Sequence, residues 1–191
     1  MLLSPCVPLL FMGEEYGEDA PFVYFVSHSD PGLISAVREG RKREFISFEW
    51  QGEPPDPQDE ATFQRSKIDW LKREKGNHRA LLEFYRTLIS MRRESPVLFR
   101  PDRAGLEVEG FEGDRLVMMR RRHEGQEVLI MFNFNITAVS CTAPEAAGAW
   151  KKTLDSADPA WNGPGSSLPE EVTPGQELTL QELSVVVYGG A

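Results

Sequence analysis

The chain has 191 residues, a formal net charge of -9 and a pI of about 4.9, a balance that disfavours nucleic acid and anionic membrane as partners. Hydrophobic residues make up 40% of it, enough for a folded core, but the length falls short of the roughly 250 residues of a complete (β/α)8 barrel. No apolar run approaches the roughly 20 residues of a membrane helix, and two distant cysteines, Cys6 and Cys141, are typical of reduced thiols in a cytoplasmic protein.

The first predicted element is an apolar strand over residues 5–12, which runs into a glycine turn with two carboxylates, Gly13-Glu14-Glu15. The carboxyl ends of barrel strands face the active site, so such a junction is a place for functional residues. A parallel barrel strand is buried on both faces and needs a neighbour on each side. Residues 1–4 are too few to supply one, so we expect the chain to be part of a larger enzyme.

Two helices are predicted before residue 70, after an irregular loop over residues 13–29. Asp30 followed by Pro31 has the pattern of an N-cap and a first-turn proline, and it predicts a helix that Gly40 either ends or weakens. Three prolines predict a loop at residues 51–60. A short helix is expected to follow at about residues 60–66.

The strongest helix signal begins at Asn77, which we expect to cap the helix. One apolar stripe at helical spacing contains Leu81, Leu82, Tyr85, Leu88 and Ile89. Arg92 and Arg93 lie at its end, where positive charge opposes the negative end of the helix dipole. Pro96 prevents the helix from continuing.

Beyond Pro101 the pattern changes to the alternation that is typical of strands. The predicted strands are residues 116–119, 128–134, 136–141, 150–154 and 178–188. Glycine turns, among them Glu124-Gly125, separate them, and short strands at this spacing predict a small antiparallel β-sandwich. We therefore expect two domains: residues 1–100, with the terminal strand and helices of a TIM (β/α)8 barrel, and residues 101–191, with the sandwich.

Several motifs resemble a known family. Pro8-x-x-Phe11-x-Gly13-x-Glu15 is similar to the motif at the eighth barrel strand of the α-amylase family, glycoside hydrolase family 13. Longer segments resemble the malto-oligosyltrehalose trehalohydrolases of that family, namely LLFMGEEYGE at 9–18, HSDP at 28–31, PDPQD at 55–59 and SKIDW at 66–70. The helix predicted at residues 78–93 is similar to the last barrel helix of many members, and the remaining third resembles their C-terminal β-sandwich.

The resemblance implies a retaining hydrolase that releases trehalose from the end of a maltooligosyl-trehalose chain. Such chemistry needs a nucleophilic and an acid/base carboxylate roughly 5–5.5 Å apart. In the family these groups and a third aspartate follow barrel strands four, five and seven, and no position here matches them. We therefore assign no catalytic residue, cofactor or metal, and expect the chain alone to be inactive.

The resemblance also defines the expected partners. In the full-length enzyme these are the remainder of the barrel and a maltooligosaccharide-type substrate. The chain alone would present an unpaired apolar strand at residues 5–12, and such an open edge invites self-association.

Five residues are the candidate site residues: four at the glycine turn, and Trp70 further along the chain. Glu14, Tyr16 and Trp70 are candidates for contact with sugar, and Trp70 would stack its ring on a glucose face. Gly13 and Glu15 are expected to support the active site, with Glu15 accepting hydrogen bonds from the backbone or from an arginine. Adjacent carboxylates on a turn point apart, which argues against Glu14 and Glu15 as the catalytic pair.

The histidines and an arginine cluster have structural interpretations. His28, His78 and His123 lack metal-ligand spacing. His78 is expected to be structural and His123 to be exposed. The run Arg120-Arg121-Arg122 is expected to lie on a solvated face.

Two other interpretations of the chain stay open. One is that the chain is part of a glucan branching enzyme or another α-amylase relative. Only substrate-binding subsites outside this chain would distinguish such an enzyme from a trehalohydrolase. The other is a non-catalytic carbohydrate-binding or structural module. An exposed row of aromatic side chains on the sandwich would favour the module, and buried aromatic side chains would count against it.

Overall fold

Helices form the N-terminal part of the chain and antiparallel strands the rest, in a computed structural model that describes residues 1–47, 54–100, 103–146 and 148–190. The helices are α1 (Pro31–Ser47), α2 (Glu60–Arg65), α3 (Gly76–Glu94) and α4 (Pro96–Phe99). The strands are β1 (Leu106–Phe111), β2 (Leu116–His123), β3 (Gln126–Asn133), β4 (Val139–Thr142), β5 (Trp150–Asp155), β6 (Glu171–Val172), β7 (Glu177–Leu180) and β8 (Ser184–Gly190). The predicted fold class, barrel-type helices followed by a small antiparallel β-sandwich, is confirmed.

Residues 5–12 do not form the strand that the sequence predicts. Val7 is 80% exposed and Leu9 is 87% exposed. A strand needs a backbone partner along its edge, and none of the strands in the described ranges lies beside this segment. The local apolar pattern was therefore not enough to produce the element.

The start of the chain is held by Arg92, near the end of α3. Its buried guanidinium donates to the backbone carbonyls of Leu2 (2.7 Å), Ser4 (2.7 Å) and Cys6 (2.8 Å). A guanidinium presents several donors in one fixed plane, so it can bind several carbonyls at once. Arg92 thus joins residues 2–6 to the helix, a role that its place at the helix end did not predict.

The first two helices begin as the sequence predicts. Asp30 Oδ1 accepts a hydrogen bond from the Leu33 amide at 2.7 Å, so Asp30 caps α1. The helix continues past Gly40 to its end at residue 47. Asp59 caps α2 by accepting from the Ala61 amide at 2.9 Å.

The start of α3 differs from the prediction. The helix begins at Gly76, preceded by Lys75 in an extended conformation, so Asn77 lies in the first turn and is not the cap. Asn77 Oδ1 instead accepts from Asn162 Nδ2 at 3.1 Å, a contact with the sandwich. The helix ends at Glu94, as expected from a proline at position 96.

The sandwich consists of a six-stranded sheet in the order β1-β2-β3-β8-β5-β6 and a two-stranded sheet, β4-β7. The β2–β3 hairpin turns at Glu124 (φ 49°) and Gly125 (φ 80°). Two successive left-handed residues fit a two-residue hairpin turn, so this predicted turn is confirmed. The predicted strand at 178–188 is two strands, interrupted at Leu183, which also has positive φ. The edge strands β1 and β6 were not predicted, because β1 is mostly exposed and β6 is very short.

Two clusters of buried side chains pack on the strands. The cluster inside the sandwich contains Leu116, Met118, Leu129, Met131, Val139, Ala143, Trp150, Leu168, Val172, Leu178, Leu180, Val186 and Tyr188. The other cluster joins Leu2, Leu3, Leu88 and Leu98 to Met119, Ile130, Leu154 and Val187 of the large sheet. The helical part therefore shares a core with the sheet. The predicted boundary at Pro101 lies outside the described residues, and the division into two domains stays a prediction.

The arginine run on β2 is only partly solvated, which corrects the sequence expectation. Arg121 is buried and donates to the Leu98 carbonyl at 3.2 Å. Its neighbours point to the other side of the strand, where Arg122 forms an ion pair with Glu107 at 2.7 Å and Arg120 forms one with Glu127. The His123 side chain is 22% exposed, so it is half-buried and not open as expected.

Candidate functional site

A tight glycine turn forms the centre of the candidate site. Gly13 (φ 87°) and Gly17 (φ 68°) flank a short 3-10 helix over Glu14–Tyr16, and both glycines are left-handed. A Cβ on Gly13 would lie 2.7 Å from Glu18 Cβ. A side chain there would meet both backbone strain and a clash. This observation supports the predicted supporting role of Gly13, which remains a prediction.

Glu18 is a buried carboxylate directly after the turn. Its side chain is 4% exposed. Its two oxygens accept hydrogen bonds from the amides of Asp19 (3.0 Å), Ala20 (2.9 Å) and Asp69 (2.7 Å), the Tyr16 hydroxyl (3.1 Å) and the Lys72 ammonium (2.7 Å). Burial alone would raise the pKa of the Glu18 carboxyl, but these donors, led by Lys72, hold that pKa well below its usual range. Glu18 is therefore ionised at neutral pH.

Tyr16 is buried against this carboxylate, with 1% of its surface exposed. Burial first, and then the bond to Glu18, raises the pKa of Tyr16 to about 12. His78 in the first turn of α3 donates from Nδ1 to the Tyr16 carbonyl at 2.8 Å, which agrees with a structural His78. The sequence places Tyr16 in contact with sugar, but a buried ring with a bonded hydroxyl offers a substrate no open surface. In this structure Tyr16 supports the turn instead.

Glu14 is on the exposed side of the turn. Its Oε2 accepts from the Phe11 amide at 3.0 Å, and its Oε1 accepts from the Tyr85 hydroxyl of α3 at 3.1 Å. Burial and then the bond to Glu14 raise the pKa of Tyr85. Glu14 is thus held in place and still open to solvent, as a group that binds sugar hydroxyls must be.

A pocket of about 330 Å³ opens beside the turn. Its lining includes Phe11, Met12, Gly13, Glu14, Gly17, Glu18, Ala20, Phe22, Ser66 and Ile68. Trp70 is not part of this lining, but it follows the lining residue Ile68 by two positions. Its ring centroid is 6.3 Å from that of Tyr16, and the residue is 52% exposed. The Arg73 guanidinium lies 5.5 Å from the ring centroid. Glu14 thus lines the pocket, Trp70 lies beside Tyr16 of the same turn, and both are accessible.

The hydrogen bonds that the sequence assigns to Glu15 are accepted by Glu18. Glu15 is half-buried, and within the described ranges its side chain accepts no hydrogen bond and forms no ion pair. Its supporting role stays a prediction. The sequence gives no signal for Glu18, because Asp69 and Lys72 lie 51 and 54 residues away along the chain. Only the folded chain brings these partners together.

Neither a metal-binding cluster nor a membrane-spanning helix is found in the part of the chain that the structure describes. No cluster of three or more His, Cys, Asp and Glu residues is placed to hold a metal ion among residues 1–47, 54–100, 103–146 and 148–190. In the same ranges no helix has the length and apolar character needed to cross a membrane.

Several known proteins are similar to this chain in sequence. Malto-oligosyltrehalose trehalohydrolase of Rhizobium sp. (strain M-11) is 43% identical over 147 residues, which cover 76% of this chain and 24% of the relative. The enzyme of the same name from Brevibacterium helvolum is 39% identical and is covered to 27%. The chain thus spans only about a quarter of the length of these curated relatives. A family profile described as "Domain of unknown function (DUF3459)" matches residues 101–187.

Solved structures give the same fold. A putative α-amylase from Salmonella typhimurium superposes with a TM-score of 0.72 at 31% identity, covering 100% of this chain and 29% of that one. The α-amylase from H. orenii superposes with a TM-score of 0.56 at 18% identity, covering 100% and 33%, which shows the fold alone.

Fold and similarity together define the class: the chain resembles the C-terminal portion of α-amylase-family enzymes. Within that family, the predicted resemblance to a C-terminal portion of malto-oligosyltrehalose trehalohydrolase is confirmed by the relatives of that name.

Proposed function

We propose that this chain is the C-terminal portion of a retaining α-glycoside hydrolase that releases trehalose from maltooligosyl-trehalose. The observation that carries the proposal is the 43% identity to a trehalohydrolase over 76% of the chain. Trehalose formation in the cytoplasm is part of the same proposal. It agrees with the two free thiols of Cys6 and Cys141, since a reducing compartment leaves cysteines unpaired.

In the full-length enzyme the pocket beside the glycine turn contributes to the substrate cleft. Glu14 supplies oxygens that accept from sugar hydroxyls, and Trp70 supplies a ring for stacking on a glucose face. Gly13 and the buried Tyr16 keep the turn in shape. The net charge of -9 is compatible with a neutral substrate.

The remainder of the barrel covers the exposed segment at residues 7–12 in this proposal. Four large apolar side chains of this segment are more than half exposed: Val7, Leu9, Phe11 and Met12. So many exposed apolar side chains within six residues are unusual and mark an interaction surface. In the isolated chain the same side chains favour self-association. The apolar segment is thus an interface in both settings.

In this proposal the glycine turn supplies no catalytic carboxylate pair. A general acid must hold a proton at working pH, and the lowered pKa of Glu18 prevents this. A retaining mechanism needs two carboxylates, and Glu18, buried and bonded to Tyr16, Asp69 and Lys72, cannot be the partner of Glu14. The acid and the nucleophile therefore belong to other parts of the full-length enzyme.

We expect purified 191-residue chain to release no trehalose from maltooligosyl-trehalose, because it lacks this pair. The measurement is a trehalose-release assay with a full-length trehalohydrolase as the positive control. A Glu14→Gln variant serves as the matched test of any residual activity. If the wild-type chain releases trehalose near the rate of the full-length enzyme, and Glu14→Gln abolishes that release, the chain carries its own catalytic group and the expectation is wrong.

The carbohydrate-binding module is the weaker candidate. In the described part of the sandwich the large aromatic rings of Trp150 and Tyr188 are buried, and Phe134 is the exposed one, at 58%. A single exposed ring does not make a row on which a sugar chain can stack. A branching enzyme is disfavoured by the names of the relatives, which are trehalohydrolases.

A further inference from the structure

The Glu18 carboxylate joins two segments that are far apart in the sequence. It accepts from the Asp69 amide at 2.7 Å and from the Lys72 ammonium at 2.7 Å. Asp69 precedes Trp70, and Lys72 follows it two residues later. One carboxylate therefore fixes the loop that carries Trp70 on both sides of that residue.

Packing alone does not hold Trp70. Its side chain is 52% exposed, although the Tyr16 ring lies 6.3 Å away and the Arg73 guanidinium 5.5 Å away. The adjacent backbone is ordered by polar contacts, because Asp69 Oδ1 also accepts from the Leu71 amide at 2.9 Å. An exposed ring on a short loop depends on such bonds for a fixed orientation.

The same bonds shape the wall of the pocket. Ser66 and Ile68, which precede Asp69, line the pocket, and Glu18 lines it from the opposite segment. The Lys72 side chain is 27% exposed and also contacts Asp19. The pocket wall and the exposed ring thus share one anchor.

We propose that Glu18 is a positioning residue, which holds Trp70 at the edge of the pocket in the orientation that contacts a linear α-glucan. The inference rests on the proposed function, because it requires the sugar contact of Trp70. A ring that is already ordered loses less conformational entropy on binding than a mobile ring. Glu18 therefore raises sugar affinity through Trp70, while its own side chain stays buried.

A double-mutant cycle tests this coupling in the 191-residue chain. Affinity for maltopentaose is measured by titration for the wild type, Glu18→Gln, Trp70→Ala and the double variant. We expect Trp70→Ala to weaken binding. We expect Glu18→Gln to weaken it about threefold or more when Trp70 is present, and by a clearly smaller factor in the Trp70→Ala background, where only the change in the pocket wall remains. Glu74→Gln is the matched control, because Glu74 is an exposed carboxylate on the same short helix as Lys72, and it should leave affinity unchanged in both backgrounds.

The outcomes separate the two proposals. If Glu18→Gln weakens binding equally in both backgrounds, or in neither, the positioning role is wrong. If Trp70→Ala leaves affinity unchanged, the proposed sugar contact is wrong instead. The positioning is then read from the fluorine spectrum of the chain labelled with 5-fluorotryptophan. A Trp70 signal that is identical in the wild type and Glu18→Gln overturns it, and a shifted or broadened signal supports it.

A second variant keeps the test decisive if Glu18→Gln does not fold. Lys72→Met keeps the length of the stem and removes one of the two bonds to the loop. The same cycle with Trp70→Ala should show the same dependence on Trp70, with a smaller loss of affinity. Equal affinity of Lys72→Met and the wild type, together with an unchanged Trp70 fluorine signal, would overturn the proposal.

Discussion

Replacing Arg92 by alanine should lower the free energy of unfolding by about 3 kcal/mol or more. The variant removes three hydrogen bonds from a charged donor and leaves the carbonyls of Leu2, Ser4 and Cys6 without their partner. Residues 2–6 would then detach from α3. The measurement is urea unfolding at equilibrium, together with amide hydrogen exchange of residues 2–6.

The adjacent arginine provides the control. Arg93 is exposed in the same helical turn, so Arg93→Ala should change stability by no more than about 0.5 kcal/mol. Arg92→Lys should recover only part of the lost stability. The lysine ammonium keeps the charge, but it lacks the planar set of donors with which a guanidinium binds several carbonyls. Equal stability of Arg92→Ala and Arg93→Ala would contradict the role of Arg92 as the anchor of the segment.

Leu98→Ala should destabilise the chain by about 2–5 kcal/mol. Leu98 is 1% exposed in α4 and packs with Ile130 and Val187 of the large sheet, so its loss leaves a cavity where the helical part meets the sandwich. Phe99 is the next residue of the same helix and is 62% exposed. Phe99→Ala is therefore the matched control, and thermal or urea unfolding compares the two.

The result also bears on the division into domains. If the helical part and the sandwich unfold together, Leu98→Ala should shift a single cooperative transition. Two transitions, of which Leu98→Ala leaves the sandwich transition in place, would show that the shared core contributes little to the sandwich. In that case the two predicted domains, divided near Pro101, would also unfold independently of each other.

Features that depend on neighbouring residues could be predicted from the sequence. The cap of α1 at Asp30 and the hairpin turn at Glu124-Gly125 follow from local backbone chemistry. The helix and its buried Leu88 follow from spacing, but the predicted stripe is only partly correct: Ile89 is 37% exposed, and Phe84 and Met91 pack against the core instead. These signals lie within a few residues of each other, so no knowledge of the rest of the fold is needed.

Features that depend on distant partners could not be predicted. The segment at 5–12 has the composition of a strand, but pairing requires another strand beside it. Arg92 has the position of a dipole-compensating residue, and its carbonyl partners lie 86 to 90 residues away. In the sequence, nothing distinguishes Glu18 from the other acidic residues of its loop. Its partners Asp69 and Lys72 contact it only in the folded chain. Tyr16, expected in contact with substrate, is buried for the same reason.

The most direct test of sugar contact at the glycine turn is a titration of the 15N-labelled chain with maltopentaose, followed by NMR. The account predicts that the amide signals of Gly13 and Gly17 and the indole signal of Trp70 shift with increasing sugar. It also predicts that the amide signals of Gly125 and Gly175, in the turns of the sandwich, do not move. Shifts confined to the sandwich, or no shifts at the glycine turn at saturating sugar, would contradict it.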